Sequence, residues 1–309
     1  MRDIRNSLKY TNINPSDNHN QAIIYASQNG HSKVVKLLLN DPRVDPSDIN
    51  NKAIRIASEN GHSKVVKLLL NDPRVDPSDM NNEAIINASE NGRYKVVKLL
   101  LNDPRVDPSD RNNFALRFAS TNGRSQIVKL LLSDSRVDPS DMNNEAITLA
   151  SDDGYLEVVK LLLSDSRVDP SDDHNFAIKF ASQDGRSKVV KLLLSDPRVD
   201  PSDDNNDAIR FASENGHSKV VELLLSDSRV DPSDYSNGAL ILSSQDGHSE
   251  IVKLLLSDSR VVDEHFDNGI IPIHEKCQDI LIKFQKNLSH KNFKFHQNMN
   301  KSNWPRFLL

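Results

Sequence analysis

The chain has little cysteine, little glycine and no long apolar run, and each shortage excludes a class of protein. Its single cysteine, Cys277, rules out an intrachain disulfide and fits a reducing compartment. No stretch approaches the ~18 consecutive apolar residues that a membrane-spanning helix needs. Residues 1–14 carry charges instead of the apolar core of a secretion signal. These absences predict a soluble cytoplasmic protein without a membrane span.

The few glycines are evenly spaced. Eight of the ten recur at 31-residue intervals, at Gly30, Gly61, Gly92, Gly123, Gly154, Gly185, Gly216 and Gly247. Self-similarity at one fixed period between about 20 and 50 residues indicates a stacked repeat array. Because a stack has no single core to outgrow, the length does not indicate the number of domains, and the repeats predict one array.

The stretch that follows each glycine predicts a helix that is buried on two sides. In the second copy, Val65 with Leu69 and Val66 with Leu70 form two adjacent apolar lines along the helix. That arc is too wide for a helix lying on a single core. One line can face the preceding repeat and the other the following repeat, so no repeat is expected to be stable alone.

A second helix is predicted before each glycine. Asn51 is a good N-cap for it and recurs in every copy, and Gly61 stops it. The segment 71–79 contains two prolines and should form an extended loop ending in a turn. Each repeat is therefore predicted to be a helical hairpin with a projecting loop.

The Gly-His-x-x-Val-Val-x-Leu-Leu-Leu pattern of residues 61–70 resembles the ankyrin repeat. The resemblance implies an all-α solenoid of stacked helical hairpins with short loops and atypical terminal caps. The helix start at residues 52–58 lacks the family's Thr, Pro and His, and the repeat is two residues shorter than usual. We therefore expect a shortened loop in place of the family's β-hairpin tip.

The predicted organisation has four parts. Residues 1–19 form an N-terminal cap or partial repeat, 20–266 eight tandem 31-residue repeats, 267–288 a ninth atypical repeat with a capping helix, and 289–309 a basic flexible tail. From Ile270 onward, six lysines and one arginine oppose two acidic residues, giving +5, whereas the preceding residues carry −10. The acidic array disfavours non-specific nucleic-acid binding.

Comparison of the copies points to a partner-binding surface. Three positions, represented by residues 49, 52 and 55, vary from copy to copy, and the resemblance places them on the concave groove that ankyrin arrays use for protein partners. The groove floor would be Glu59, Asn60 and their equivalents. The candidate contacts are Met80, Arg111, Phe114, Arg117, Met142, Glu145, Phe176, Lys179, Asp204, Arg210 and Tyr235. The alternative for Phe114 and Phe176 is local packing.

Other recurring polar residues have a structural and a chemical interpretation. An arginine ladder that includes Arg74 could hold phosphates, but an aspartate two residues later favours inter-repeat ion pairs. The Asp-Pro-Ser-Asp pattern could suggest calcium, yet it lacks the glycine and the closing glutamate of an EF-hand loop and suits a turn. The histidine after the repeat glycine is replaced by Arg or Tyr in other copies, which excludes a catalytic or metal-binding role.

No nucleophile with a plausible base, phosphate-binding glycine loop or cysteine–histidine cluster occurs in the sequence. We therefore predict no enzymatic activity, no catalytic, metal-binding or cofactor-binding residues, no cofactor and no small-molecule substrate. The expected protein is a monomeric scaffold with a protein partner.

The C-terminal segment leaves alternatives open. Pro272-Ile273, Cys277 and Leu281 resemble the short helix by which ankyrin proteins with a SOCS box recruit the elongin part of a ubiquitin ligase, and a capping helix is the simpler interpretation. The basic tail could also bind nucleic acid or a membrane surface. Finally, the near-uniform copies resemble the ankyrin proteins of giant DNA viruses, which implies a host-protein partner.

Overall fold

The computed structural model describes residues 14–262 and 274–290, with only the backbone of residues 262 and 285–290. These residues form helices and turns and contain no strand, which confirms the predicted all-α class. Eight hairpins each pair a first helix of 12 residues with a second helix of eight or nine. The first helices are α1 (Asp17–Gln28), α3 (Asp48–Glu59), α5 (Asp79–Glu90), α7 (Asp110–Thr121), α9 (Asp141–Asp152), α11 (Asp172–Gln183), α13 (Asp203–Glu214) and α15 (Asp234–Gln245).

The second helices begin two residues after each repeat glycine. They are α2 (Ser32–Leu39), α4 (Ser63–Leu70), α6 (Tyr94–Leu101), α8 (Ser125–Leu132), α10 (Leu156–Leu163), α12 (Ser187–Leu194), α14 (Ser218–Leu225) and α16 (Ser249–Ser257). Two further helices follow, α17 (Ser259–Val262) and α18 (Glu275–His290). The predicted ninth helix start at residues 267–273 lies outside the described residues.

The chain divides into two compact units. The first contains residues 1–150 and 157–168. Within it, α1, α3, α5 and α7 pack side by side in sequence order, and α2, α4, α6 and α8 do the same.

The second unit contains residues 151–156 and 169–309. Its first helices α11, α13 and α15 pack in sequence, as do its second helices α12, α14 and α16. Helix α18 packs against α16 and buries Cys277 completely, as a capping helix would. The predicted domain boundaries remain a prediction.

The interior is formed by residues that repeat with the 31-residue period. In α4, Val65, Val66 and Leu69 have no exposed surface, whereas Lys64 and Lys67 are exposed. Because α4 contacts both α2 and α6, its buried residues are covered from both sides. Full burial of one such side chain contributes about 1.5–3 kcal/mol, so each hairpin depends on its neighbours for much of its stability.

The repeat glycine has a backbone that other residues rarely adopt. Gly61 has φ +81°, and a Cβ at this position would lie 2.8 Å from Cδ of Arg93 in the next repeat. Glycine therefore allows both the left-handed turn that ends α3 and the close approach of the next repeat.

The prediction that the repeated asparagine is an N-cap is wrong. Asn51 has φ +54° and is the last of three consecutive left-handed residues, and α3 has no side-chain cap. Its amide instead reaches the next repeat: Oδ1 accepts the N–H of Asp76 at 2.8 Å, and Nδ2 donates to Asp79 Oδ2 at 2.8 Å. Asparagine suits this position because it tolerates the left-handed region and carries both a donor and an acceptor.

A buried serine near the end of each first helix yields a first prediction. In the described part of the chain, seven of these hydroxyls lack a hydrogen-bond partner: Ser27, Ser58, Ser89, Ser120, Ser151, Ser182 and Ser213. We expect Ser89→Ala to stabilise the protein by about 1 kcal/mol, because it removes an unsatisfied buried hydroxyl and alanine is the better helix former. Urea unfolding measures the difference.

Ser244 is the matched control for this prediction. It occupies the equivalent position in α15, but its hydroxyl donates to Leu240 O at 2.6 Å. Ser244→Ala should therefore give no stabilisation. Equal gains at both positions would show that the missing hydrogen bond is not the cause.

Candidate protein-binding surface

The first of the three variable positions is the exposed one. It is the first residue of the left-handed turn in each first helix, and its side chain is 47% exposed in Met80, 50% in Met142 and 63% in Tyr235. The turn is held from within, because the Met80 N–H donates to Asp79 Oδ1 at 2.7 Å. Met80, Met142 and Tyr235 therefore expose large apolar side chains to solvent from an ordered backbone.

The second and third positions pair with each other across repeats in the first unit. Arg55 forms an ion pair with Glu83, and Arg117 forms one with Glu145, each pair joining residues 28 positions apart. These side chains are at most one-third exposed. The second and third positions vary from copy to copy, but their residues form ion pairs with one another and do not vary independently. A basic third position followed 28 residues later by an acidic second position was the sequence signal that could have shown it.

The second unit contains related pairs. The Lys179 side chain is 3% exposed, and its ammonium group donates to Asp204 of the next repeat. That hydrogen bond holds the pKa of the Asp204 carboxyl below its ordinary value. Arg210 pairs with Asp207 on its own helix, and its guanidinium carbon lies 4.2 Å from the ring centroid of Tyr235. Tyr235 is exposed yet held in place by a cation–π contact.

Phe114 and Phe176 both have local packing partners. The Phe114 ring centroid lies 4.1 Å from that of Phe118, and the guanidinium carbons of Arg111 and Arg117 lie 5.4 and 5.1 Å from the Phe114 centroid. Phe176 lies 5.1 Å from Phe180, centroid to centroid. These contacts support the packing alternative for both phenylalanines, and a role for them in partner binding stays a prediction.

The arginine ladder is structural, but its carboxylate partner differs from the predicted one. Arg74 pairs with Asp72, two residues earlier, at 2.6 Å and not with Asp76, whose carboxylate binds Ser78. The remaining donors of Arg74 reach the preceding repeat, with Nη1 to Val44 O at 2.7 Å. The loop turns the guanidinium toward Asp72, which leaves Nη1 free for the neighbouring backbone.

The hydrogen bond from Arg74 holds the pKa of the Asp72 carboxyl below its ordinary value. A folded-state pKa that is lowered stabilises the fold above the unfolded pKa of about 4. This contribution is lost as the pH falls through the lowered pKa of the folded state. The same pairing recurs at Asp103 and Asp134.

The residue after the repeat glycine ties neighbouring repeats together. His62 Nε2 lies 2.9 Å from Gln28 O, and Arg93 Nε donates to Glu59 O at 2.8 Å, each in the preceding repeat. Both side chains can donate to the last carbonyls of a helix, so they exchange without loss of the contact. The predicted floor residue Glu59 is exposed and uses its backbone carbonyl in this bridge.

Carboxylates that could suggest a metal are already engaged. Across the described ranges, one group of three potential ligands has atoms within 4.8 Å of one another, namely His174, Asp203 and Asp204. Asp203 accepts from Asn175 at 2.8 Å, and Asp204 accepts from Lys179. In the Asp-Pro-Ser-Asp turn, Asp45 Oδ1 accepts the Ser47 hydroxyl at 2.6 Å. These bonds support the turn interpretation over calcium.

Among the helices described, none is both long and apolar enough to span a bilayer.

The comparisons with known proteins agree with this geometry. The crystal structure of the ankyrin repeat domain of Bcl-3, titled a unique member of the IkappaB protein family, aligns with 66% of this chain and 97% of that chain at 21% identity and a TM-score of 0.53. This likeness concerns the fold alone. No curated protein matches the sequence. The family model for ankyrin repeats (three copies) matches residues 4–81, 24–112, 85–174 and 178–266, and the chain therefore belongs to the ankyrin-repeat family.

Proposed function

We propose that the chain is a non-enzymatic scaffold that binds a protein partner through the exposed first variable position of its repeats. Ankyrin repeats generally mediate protein–protein interactions. The observation that carries the proposal is the recurrence of large exposed apolar side chains at one position of the repeat, with Ile49 40%, Met80 47% and Met142 50% exposed in the first unit. Stacking does not require them, because Arg111 occupies the same position.

The chemistry of this row suits a protein partner. Methionine, tyrosine and arginine are enriched at protein interfaces, and methionine adapts its shape to the surface it meets. Asn50 Nδ2 lies 3.4 Å from Met80 Sδ, and Asn112 Nδ2 lies 3.3 Å from Met142 Sδ, so both methionines rest against the preceding repeat. In the second unit, Tyr235 is the corresponding anchor and Arg210 supports its ring. We place the contact on the face that is concave in ankyrin arrays.

The experiment is crosslinking mass spectrometry on the protein captured from expressing cells, followed by binding measurements with the purified partner. Met80→Ala with Met142→Ala should weaken binding about tenfold or more, because a few anchors dominate interface energy. The melting temperature should change little. Tyr94→Ala is the control, since Tyr94 is 39% exposed on the second helix of the same unit. Unchanged affinity for the methionine variant, or a larger loss for the control, would refute this placement.

The finer expectations belong to the same proposal: a host-protein partner, a monomer and a cytoplasmic location. The ubiquitin-ligase adaptor hypothesis depends on Pro272 and Ile273, which lie outside the described residues, and on Cys277 and Leu281 of α18, of which Cys277 is fully buried. Of the basic tail at residues 289–309, residues 291–309 lie outside the described part of the chain, so its binding of nucleic acid or a membrane surface stays a prediction. We favour the scaffold because a buried Cys277 suits a capping helix.

A further inference from the structure

We propose that the second helices of the first three repeats form a binding face for an acidic protein segment rich in Asp and Glu. This face is separate from the row of exposed residues on the first helices. It consists of two exposed lysines on each of α2, α4 and α6, and we call it the lysine face: Lys33, Lys36, Lys64, Lys67, Lys95 and Lys98.

Comparison of the repeats shows that stacking does not require these lysines. The equivalent of Lys33 is Gln126 in α8 and Glu157 in α10, and the equivalent of Lys36 is Glu222 in α14. In two of the copies in which one of the pair is acidic, the two residues form an ion pair: Nζ of Lys160 lies 3.7 Å from Oε2 of Glu157. Likewise, Nζ of Lys219 lies 2.7 Å from Oε2 of Glu222. A neutralising carboxylate is therefore compatible with this helix surface.

In the first three repeats no such neutralisation occurs. None of the six lysines has an ion pair with any residue in the described parts of the chain. Like charges three or four positions apart on a helix are mildly destabilising. Packing of α4 against α2 and α6 brings further lysines alongside. The face thus concentrates six uncompensated positive charges in a chain whose net charge is −5.

The shape of the face suits a narrow chain. A shallow open cavity of about 290 Å³ lies between α2 and α4 and is lined by Ser32, Lys33, Lys36, Lys64, Lys67, Leu68 and Asn71. Three helices packed about 8–10 Å apart span roughly 20 Å, which is the length of about six residues of extended chain. The lysine stems and Leu68 supply apolar walls, and the ammonium groups supply the charge.

An acidic protein segment fits this face better than other polyanions do. Lysine is a strongly hydrated point charge without the planar fork by which arginine grips phosphates. Binding to a lipid surface requires large exposed apolar side chains, and the half-buried Leu68 offers too little apolar surface for that. The residues before Ile270 carry a net −10, which repels a long nucleic acid or an anionic bilayer that reaches beyond the strip. The chain's own C-terminal segment is basic and therefore unsuited to this face.

The experiment measures the fluorescence anisotropy of a labelled polyglutamate peptide of about ten residues. This peptide is longer than the roughly six extended residues that span the lysine face. The protein is the full chain, at salt concentrations of about 50 and 150 mM. We expect binding that weakens with salt. Replacing Lys33, Lys36, Lys64 and Lys67 by Gln should weaken it about tenfold or more, because four surface charge contacts are lost. The melting temperature of this variant should equal or exceed that of the unaltered protein, since repulsion is relieved.

The control is Lys160→Gln with Lys219→Gln, in which both lysines already have a glutamate partner, and it should retain full affinity. Several results would overturn the proposal. They are absence of peptide binding at the lower salt, equal loss in both variants, or destabilisation of the four-lysine variant. Tighter binding of single-stranded oligothymidylate or of phosphatidylserine vesicles, or salt-sensitive self-association that excludes the peptide, would also overturn it.

Discussion

Asn82→Ala is expected to destabilise the protein by about 3 kcal/mol. The Asn82 side chain is buried and joins two repeats: Oδ1 accepts the N–H of Asp107 at 2.8 Å, and Nδ2 donates to Asp110 Oδ2 at 2.8 Å. Alanine removes both bonds, leaves a backbone donor and a carboxylate oxygen without this partner, and is strained at φ +59°. The loss is large against a typical folding stability of about 5–15 kcal/mol. Urea unfolding followed by circular dichroism measures it.

Asn81→Ala is the matched control for Asn82→Ala. Asn81 precedes it in the same left-handed turn with φ +57°, but its side chain is exposed and makes no hydrogen bond with the described residues. Both variants carry the same backbone penalty of about 1 kcal/mol. Their difference therefore reports the inter-repeat hydrogen bonds. Equal destabilisation would show that the asparagine is kept for its backbone conformation alone.

Leu100→Ala is expected to cost about 3 kcal/mol or more. Leu100 has no exposed surface and lies on α6, which contacts α4 on one side and α8 on the other. Removing the branched end of the side chain leaves a cavity between neighbouring hairpins, which depend on each other for their stability. In a linear array with nearest-neighbour coupling, such a loss can split the unfolding transition into two. Denaturant unfolding followed at several wavelengths detects both effects.

Leu99→Ala tests whether burial between repeats is the cause. Leu99 precedes Leu100 on the same helix but is half-buried. The same substitution should there cost only about 1 kcal/mol, in proportion to the smaller apolar area lost. If the two variants lost the same free energy of unfolding, burial between two repeats would not be the cause of the loss at Leu100.

Much of the fold follows from the sequence because its physical causes are local and repeated. Val65, Val66 and Leu69 cover too wide an arc for one interface, and the structure buries all three completely. Gly61 was expected to end the first helix, and it does so with a left-handed φ. The expected absence of a β-hairpin tip is also confirmed, since the described loops are turns.

The features that the sequence did not predict depend on which side chains contact each other between repeats. Asparagine is favoured both as an N-cap and in a left-handed turn, so Asn51 alone could not distinguish the two. Arg74 has an aspartate two residues away on either side, and only the loop geometry selects Asp72. The variable residues looked independent because Arg117 and Glu145 lie 28 positions apart in the chain, although they form an ion pair in the structure.

The excised hairpin at residues 48–78, which contains α3 and α4, tests the central claim most directly. Its circular dichroism and urea response would be compared with those of the whole chain. We expect a spectrum without stable helix and no cooperative transition, because Val65, Val66 and Leu69 lose the neighbours that cover them. A monomeric hairpin that is helical and unfolds cooperatively would contradict the account.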